Sequence, residues 1–149
     1  MKIPAVTLYR PWGYAILRLG KTPENRPIRT NYRGPVIIHH GLKWQSEALE
    51  TVRMICGADA ERATREHGEV TGFLGVVDLI GCHPGPDPYA LPPTEEERCR
   101  CPAWGYEGLW HWEIANPRPF PTAIPGRGMQ GLFPAPVEVV DRARMWGLL

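Results

Sequence analysis

The segment GFLGVVDLIG, residues 72–81, is the most apolar stretch of the chain, and the arrangement of the other elements depends on it. Val, Leu and Phe dominate residues 70–80, which is typical of a strand that is buried on both faces. The stretch is much shorter than the roughly 20 apolar residues of a membrane helix, and Asp78 interrupts it. We therefore predict a central buried strand and no association with a membrane.

Shorter elements are predicted on both sides of this strand. Apolar residues at helical spacing predict helices over residues 8–19, 44–56 and 59–67. A β-branched run and a polar–apolar alternation predict strands over residues 36–39 and 109–115. Short strands near residues 120 and 131–133 and a terminal helix complete the prediction.

Length and composition restrict the fold class. The 149 residues suit one domain, and 17 Pro with 16 Gly argue against a long helical bundle. Strands and helices mixed at this density of turns favour a single α+β domain over residues 1–149, built as a small β-barrel with flanking helices. Within it, residues 84–107 form a Pro-rich, polar excursion with one helical turn predicted at residues 94–98.

The charges are distributed unevenly along the chain. Residues 1–33 contain seven Lys or Arg and one Glu, a balance of +6, whereas residues 34–100 contain six bases and eleven acids, a balance of −5. The net charge of the whole chain is only +1. The basic first third therefore predicts a local site for an anion or a nucleotide, with a solvated basic surface as the alternative.

The four cysteines suggest either reduced thiols or a metal site. The start of the chain lacks the apolar stretch of an export signal, so we expect a cytoplasmic protein without disulfides. Cys82, His83, Cys99 and Cys101 flank the Pro-rich excursion and could hold a structural zinc ion that fastens it. Buried free thiols are the alternative, because the Cys-x-Cys spacing is unusually short and adjacent Cys and His ligands are strained.

The segment GKTPENR, residues 20–26, contains the main candidates for a ligand site. Lys21 is either the surface ion-pair partner of Glu24 or a partly desolvated amine that binds phosphate or acts as a base. Glu24 could accept hydrogen bonds from the exocyclic amine of a base, and Arg26 could bind a phosphate. Internal bracing of the loop is the alternative role for both. In an extended loop, Glu24 and Arg26 point the same way.

Aromatic and acid–base candidates lie outside this segment. Trp12 and Tyr32 could stack on a base, although Trp12 also fits the apolar face of the first helix. His111 and Glu113 share one face of a predicted strand, and if that face lines a cleft they could serve as a general base and its orienting group. The alternative is that this face is simply the side of the strand that contacts water.

His39 and Gln130 complete the candidate ligand-binding residues. His39 ends the predicted strand at residues 36–39, and Gln130 lies in a Gly-rich segment, residues 126–131, where it could read the edge of a base. A plain tight turn is the alternative for this segment. It lacks the G-K-[ST] ending of a phosphate-binding P-loop.

Three parts of the chain carry a resemblance to a known family. GKTPENR is similar to a G-x-K-x-x-E-x-R signature with one residue fewer between Gly and Lys, and it follows Arg-Pro-Trp at residues 10–12. Residues 34–40 are similar to the strand after that signature, and residues 72–79 and 112–119 to the second half of the same barrel. Together these segments resemble the ASCH family of the PUA-like superfamily, most of all its endothelial-overexpressed, lipopolysaccharide-associated type.

The resemblance implies a PUA-like β-barrel whose cleft, lined by the GKTPENR loop, binds RNA or a modified nucleoside. It also implies an alternative activity, because some family members are amidohydrolases acting on N4-acylated cytidine and ribonuclease activity has been ascribed to others. In the hydrolase, Lys21 would activate water or stabilise an oxyanion, and Glu24 or Glu113 would transfer the proton. The small amidohydrolase type has threonine where this chain has Glu24, which favours binding over hydrolysis. A Trp- and Pro-rich surface that binds another protein is a third interpretation.

Overall fold

Six strands form one mixed sheet in the computed structural model, which describes residues 2–94, 98–99, 101 and 103–149. The strands are β1 (Pro4–Arg10), β2 (Pro23–Arg26), β3 (Gly34–Trp44), β4 (Gly72–Pro84), β5 (Trp110–Ile124) and β6 (Leu132–Pro134). Their order is β2-β5-β4-β3-β1-β6; β1 and β3 pair in parallel and the other neighbours antiparallel. Over the described residues β2 and β6 are the edges of the sheet, so the predicted closure into a barrel is not confirmed.

Four helices accompany the sheet. They are α1 (Trp12–Arg18), α2 (Ala48–Cys56), α3 (Ala58–His67) and α4 (Val137–Met145). None of these described helices has the length and apolarity needed to cross a membrane. One mixed sheet with four helices confirms the prediction of a single α+β domain.

Two hydrophobic clusters, one on each face of the sheet, explain the unbroken apolar runs of the central strands. Val36, Ile38, Val77 and Leu79 belong to one cluster with α1 and α2, and Ile37 and Val76 belong to the other with α4. Because successive side chains of a strand point to opposite faces, a strand with a core on both sides needs apolar residues at every position. This is the arrangement predicted for residues 70–80.

The first strand is the main departure from prediction. Residues 8–10 were expected to begin a helix, but they end β1, and α1 starts only at Trp12. β1 is stabilised by its parallel pairing with β3, in which Ala5 lies opposite Ile37. Parallel pairing joins strands that are distant in the sequence, so no local pattern indicates it.

The GKTPENR loop is also more regular than expected. Residues 23–26 form the edge strand β2, which pairs antiparallel with β5 and places Glu24 opposite Trp112. Pro23 begins the strand, a position at which proline is tolerated. The loop therefore has a fixed register against the sheet.

The Pro-rich excursion connects β4 to β5 and is anchored by one tryptophan. Its described residues after Pro84, the last residue of β4, contain no helix or strand, and residues 95–97 of the predicted helical turn lie outside the described residues. Trp104 is buried in the same core as α1 and contacts Trp12 edge-on, with ring centroids 6.3 Å apart. The excursion thus contributes to the core beside the GKTPENR segment.

Candidate functional site

Strands β2 and β5 carry two groups of polar side chains on opposite faces. Glu24 lies opposite Trp112 in the register, and Asn25 lies opposite His111. Paired residues share a face and neighbours along a strand alternate, so Glu24 and Asn25 point to opposite sides of the sheet. Each side leads to a different site.

The first site contains a group of charges, the buried Lys21 and Glu24 and the partly exposed Arg26, here called the ionic trio. Lys21 Nζ lies 3.2 Å from Glu24 Oε2 and donates a hydrogen bond to the Pro23 carbonyl at 2.6 Å. Arg26 Nη1 lies 3.8 Å from the other carboxylate oxygen of Glu24. Lys21 is only 3% exposed and Glu24 6%. The pair is therefore a desolvated one, unlike the surface ion pair that the sequence allowed.

Aromatic rings flank the two cations of the trio. Lys21 Nζ lies 5.5 Å from the ring centroid of Trp12, and the Arg26 guanidinium lies 5.4 Å from that of Trp112. Both distances are within the range of cation–π attraction. Trp12 also packs in the core, so it supports the wall of the site from below.

A small pocket of about 190 Å³ opens over the ionic trio. Tyr9, Trp12, Asn25, Tyr106 and Leu109 line it together with the trio and Gln45. An ammonium has three N–H donors, and the described residues offer Lys21 two acceptors. One N–H of Lys21 thus remains for a ligand in this pocket. Four of the predicted ligand-binding residues, Trp12, Lys21, Glu24 and Arg26, meet here.

A larger cavity of about 730 Å³ adjoins the small pocket, with which it shares Tyr9 and Arg26. Its polar lining includes Arg26, Arg29 and Gln130, and no Asp or Glu is among the described residues around it. The Arg29 guanidinium lies 5.8 Å from the ring centroid of Trp110. This cavity therefore offers cationic groups and aromatic edges to a ligand, and it favours an anion.

His39 lines the larger cavity as a neutral ring. His39 Nε2 donates to the Gly126 carbonyl at 2.9 Å, and the Thr7 hydroxyl lies 3.1 Å from Nδ1. Burial lowers the pKa of His39, which the bond to Gly126 opposes. A Cβ on Gly128 would lie 2.5 Å from His39 Nδ1, so only glycine lets the 126–131 loop cover this ring. With both nitrogens bonded, His39 shapes the cavity and holds its loop.

Tyr32 lies away from both spaces. Its hydroxyl donates to the Pro35 carbonyl at 2.8 Å, and its ring packs against the core of α1. It is not among the described residues that line either space. Tyr106 and Trp112 instead provide the aromatic surfaces next to the ionic trio.

The second site is a group of four side chains on the Asn25 face, here called the His/Cys cluster: His83, Cys99, Cys101 and His111. Cys99 Sγ lies 3.1 Å from His83 Nε2 and 3.3 Å from His111 Nδ1, and Cys101 Sγ lies 3.2 Å and 3.1 Å from the same two nitrogens. All four ligand atoms lie within 4.8 Å of one another. The cluster could hold a metal ion.

The nitrogen–sulfur distances of the His/Cys cluster are close to those around a four-coordinate zinc ion. Zinc bonds of about 2.0–2.1 Å to nitrogen and about 2.3 Å to sulfur place neighbouring ligand atoms roughly 3.5 Å apart. The observed nitrogen–sulfur distances are only slightly shorter. Burial and the neighbouring Cys99 raise the pKa of Cys101 to about 12, so its thiol is neutral at pH 7 unless a cation stabilises the thiolate.

Both histidines of the cluster are oriented through their second nitrogen. His111 Nε2 donates to the Tyr106 carbonyl at 2.7 Å, and His83 Nδ1 lies 3.5 Å from Glu113 Oε2. Partners of this type fix the ring and its tautomer at metal sites. Glu113 and His111 share a strand face, as expected, but the structure directs Glu113 to His83 and not to the pocket over the ionic trio.

The predicted metal ligands differ from the cluster at one position. Cys82 was predicted, but His111 takes its place, because Cys82 lies opposite Trp112 and packs against the core on the other face. His83, its neighbour in β4, lies opposite His111. Strand alternation therefore separates Cys82 from His83 and removes the strain of adjacent ligands.

Several residues of both sites carry no recognisable signal in the sequence. Tyr9 and Arg29 line the spaces over the ionic trio, and Tyr106 and Asn25 connect the trio to the cluster. The placement of His111 and Glu113 on one face of a strand was a usable signal. The pairing of His111 with His83, however, depends on a strand register that the sequence does not reveal.

Comparisons with known proteins do not assign either site. No family model matches the chain, and no curated protein matches it.

Proposed function

We propose that the protein binds RNA or a modified nucleoside in the larger cavity and the adjoining small pocket. One observation carries the proposal: a cavity of about 730 Å³ lined by Arg26 and Arg29, with no acid among its described lining residues, borders a pocket that contains the buried carboxylate of Glu24. Ligand sites commonly measure about 300–1,000 Å³. The proposal includes two expectations from the sequence resemblance. One is that the chain belongs to the ASCH family, and the other is that its sheet closes into a PUA-like barrel.

The two spaces suit different parts of a nucleotide. Arginine binds phosphate through paired N–H donors, so the larger cavity is the place for the sugar and phosphate. Glu24 can accept hydrogen bonds from an exocyclic amine, as carboxylates do from cytosine N4. Tyr9, Trp12 and Tyr106 surround this carboxylate, and aromatic side chains stack on bases. The small pocket is therefore the place for the base.

Calorimetric titrations with cytidine and with cytidine 5′-monophosphate (CMP) test this assignment. Arg29→Gln should weaken the binding of CMP about tenfold and leave cytidine unchanged, because a hydrogen bond to a charged group contributes about 1.5–3 kcal/mol. Arg33→Gln is the matched control: Arg33 is exposed, bonds backbone carbonyls and does not line the cavity. Absence of saturable binding of nucleosides, nucleotides and short RNA would refute the proposal.

Hydrolysis of an N4-acyl group is the second candidate, favoured by the buried contact between Lys21 and Glu24 beside the small pocket. Water adds to the acyl carbon, the bond between the acyl carbon and N4 breaks, and cytidine and a carboxylic acid leave. Glu24 takes the proton from water and returns it to N4, while Lys21 stabilises the oxyanion. Chromatography of N4-acetylcytidine incubated with wild type, Lys21→Ala and Arg33→Gln tests this. Turnover lost only in Lys21→Ala supports hydrolysis, and no turnover in wild type rejects it.

We also propose that the His/Cys cluster holds a structural zinc ion. Two thiols and two imidazoles with oriented rings, their ligand atoms within 4.8 Å of one another, match the ligand set of a closed zinc site. Such an ion would fasten the excursion between β4 and β5. Elemental analysis of the purified protein should give one zinc per chain, and cobalt substitution should produce the absorption of a tetrahedral thiolate complex. A protein without metal that also fails to take up zinc or cobalt would refute the site.

A further inference from the structure

We infer that metal binding at the His/Cys cluster controls the ligand affinity of the pocket over the ionic trio. The inference rests on the proposed nucleotide-binding function, and it adds that the two sites are coupled. The cluster and the pocket lie on opposite faces of β2 and β5, and the excursion contributes described residues to both, residue 101 to the cluster and residues 104–106 beside the pocket.

A chain of hydrogen bonds leads from the cluster to β2. His111 presents Nδ1 to the two cysteine sulfurs, while its Nε2 donates to the Tyr106 carbonyl at 2.7 Å. The Tyr106 amide donates to Asn25 Oδ1 at 2.8 Å, and Asn25 Nδ2 donates to the Trp104 carbonyl at 2.9 Å. Asn25 lies between Glu24 and Arg26 in the edge strand, so the same side chain that binds the excursion positions both charges.

The same segment forms part of the pocket itself. Tyr106 lines the small pocket, and Trp104 contacts Trp12, whose ring lies under Lys21. Cys101 is a member of the cluster three residues before Trp104. An ion that fixes Cys101 and His111 therefore fixes one wall of the pocket.

Close packing leaves little freedom along this connection. A Cβ on Gly105 would lie 2.7 Å from His111 Cε1 and 3.1 Å from Cys101 Cβ. A Cβ on Gly85 would lie 2.7 Å from both His111 Nε2 and the Tyr106 carbonyl. Because the backbone touches the imidazole directly, displacement of the ring by loss of the ion displaces the backbone of the wall. Asn25 and Tyr106 act as positioning residues.

The experiment compares the zinc-loaded and the chelated full-length protein. Hydrogen exchange should increase on chelation at the Tyr106 amide and in β2, while residues 76–79 of the central strand stay protected as an internal control. The affinity for CMP should fall at least tenfold. By thermodynamic reciprocity, CMP must raise the affinity for zinc by the same factor, which competition with a chelator measures. An ion that has no influence on the pocket would produce neither the fall in CMP affinity nor the reciprocal gain in zinc affinity.

Asn25→Ala separates the connection from the metal. This variant should keep one zinc per chain and still bind CMP at least tenfold more weakly. Thr22→Ala is the control, because Thr22 is exposed and its carbonyl, which the variant retains, accepts the Ile114 amide. Unchanged exchange in β2 after removal of zinc would overturn the coupling. A different outcome is that chelation increases hydrogen exchange in β2 but the protein binds no nucleotide. That result would refute the nucleotide function and still support control of the pocket wall by the metal.

Discussion

The ionic trio and the His/Cys cluster lie back to back on the same pair of strands, yet they are assembled in opposite ways. Lys21, Glu24 and Arg26 come from six consecutive residues; both cations lie within 3.8 Å of the Glu24 carboxylate, and the Pro23 carbonyl is a further acceptor for Lys21. The cluster draws its side chains from residues 83 to 111, and each of its two sulfur atoms lies within 3.3 Å of both imidazole nitrogens. A local segment thus brings opposite charges together, whereas contacts distant in the sequence assemble a group of side chains that could hold a metal ion.

The buried histidines sharpen this contrast. His40 accepts the Gly13 amide at Nε2 and donates from Nδ1 to the Val70 carbonyl, so protein groups occupy both nitrogens. His111 bonds a carbonyl through one nitrogen and presents the other to two sulfurs. Burial alone does not identify a metal ligand; the atoms around the second nitrogen do.

The largest expected effect concerns the cluster. Cys99→Ser and Cys101→Ser should each abolish stoichiometric zinc and lower the thermal midpoint more than Lys21→Met does, because metal affinity contributes directly to folding. Cys82→Ser and Cys56→Ser should keep the metal, since Cys82 faces the core and Cys56 is exposed on α2. Elemental analysis and thermal denaturation measure both. Zinc lost from Cys82→Ser would contradict the ligand set.

The next effect concerns the buried pair. Lys21→Met should destabilise the fold by about 3 kcal/mol, because it leaves the Glu24 carboxylate buried with only the more distant Arg26. Adding Glu24→Gln should restore part of the loss. Arg62→Met is the matched control, because Arg62 and Asp59 have the same 3.2 Å distance and sequence spacing but are exposed. Urea denaturation measures all three variants, and equal costs at the two pairs would disprove the role of burial.

A third effect is a pH dependence that arises from the structural histidine. Burial lowers the pKa of His40 to about 4 from an unfolded value near 6.5, so the unfolded chain takes up a proton at a pH where the folded protein does not. Stability should therefore fall by roughly 3 kcal/mol between pH 7 and pH 4 and level off below pH 4. The measurement uses chelated protein, so that the pH dependence of metal binding does not contribute. His40→Gln should show a shallower pH dependence; an unchanged slope would assign the effect to other groups.

The smallest effect distinguishes two roles of Glu113. If it orients His83, as the 3.5 Å contact indicates, Glu113→Gln should lower zinc affinity roughly tenfold and leave any turnover of N4-acetylcytidine unchanged. Glu138→Gln on the exposed face of α4 is the control. A loss of turnover with normal zinc affinity would return Glu113 to the acid–base role that its strand position suggested.

The fold class was predictable because its signals are local. The apolar run of residues 72–81 and the turn residues predicted a central strand and a single α+β domain, which the structure confirms. The strand β1 was not predictable, because its stability comes from a parallel partner about 30 residues away. β2 was predicted as a loop because its partner is also distant in the sequence: the segment with Pro23 becomes a strand only by pairing with β5.

The sequence alone placed Lys21, Glu24 and Arg26 within six consecutive residues, with Glu24 and Arg26 at alternate positions that share a face when the segment is extended. It also pointed to a metal group at the ends of the excursion. Only the tertiary structure decided that His111 replaces Cys82, that Tyr32 lies away from the cavities, and that Asn25 connects the two sites. Strand register makes the difference: a shift by one residue exchanges the two faces of a strand, and contacts distant in the sequence set that register.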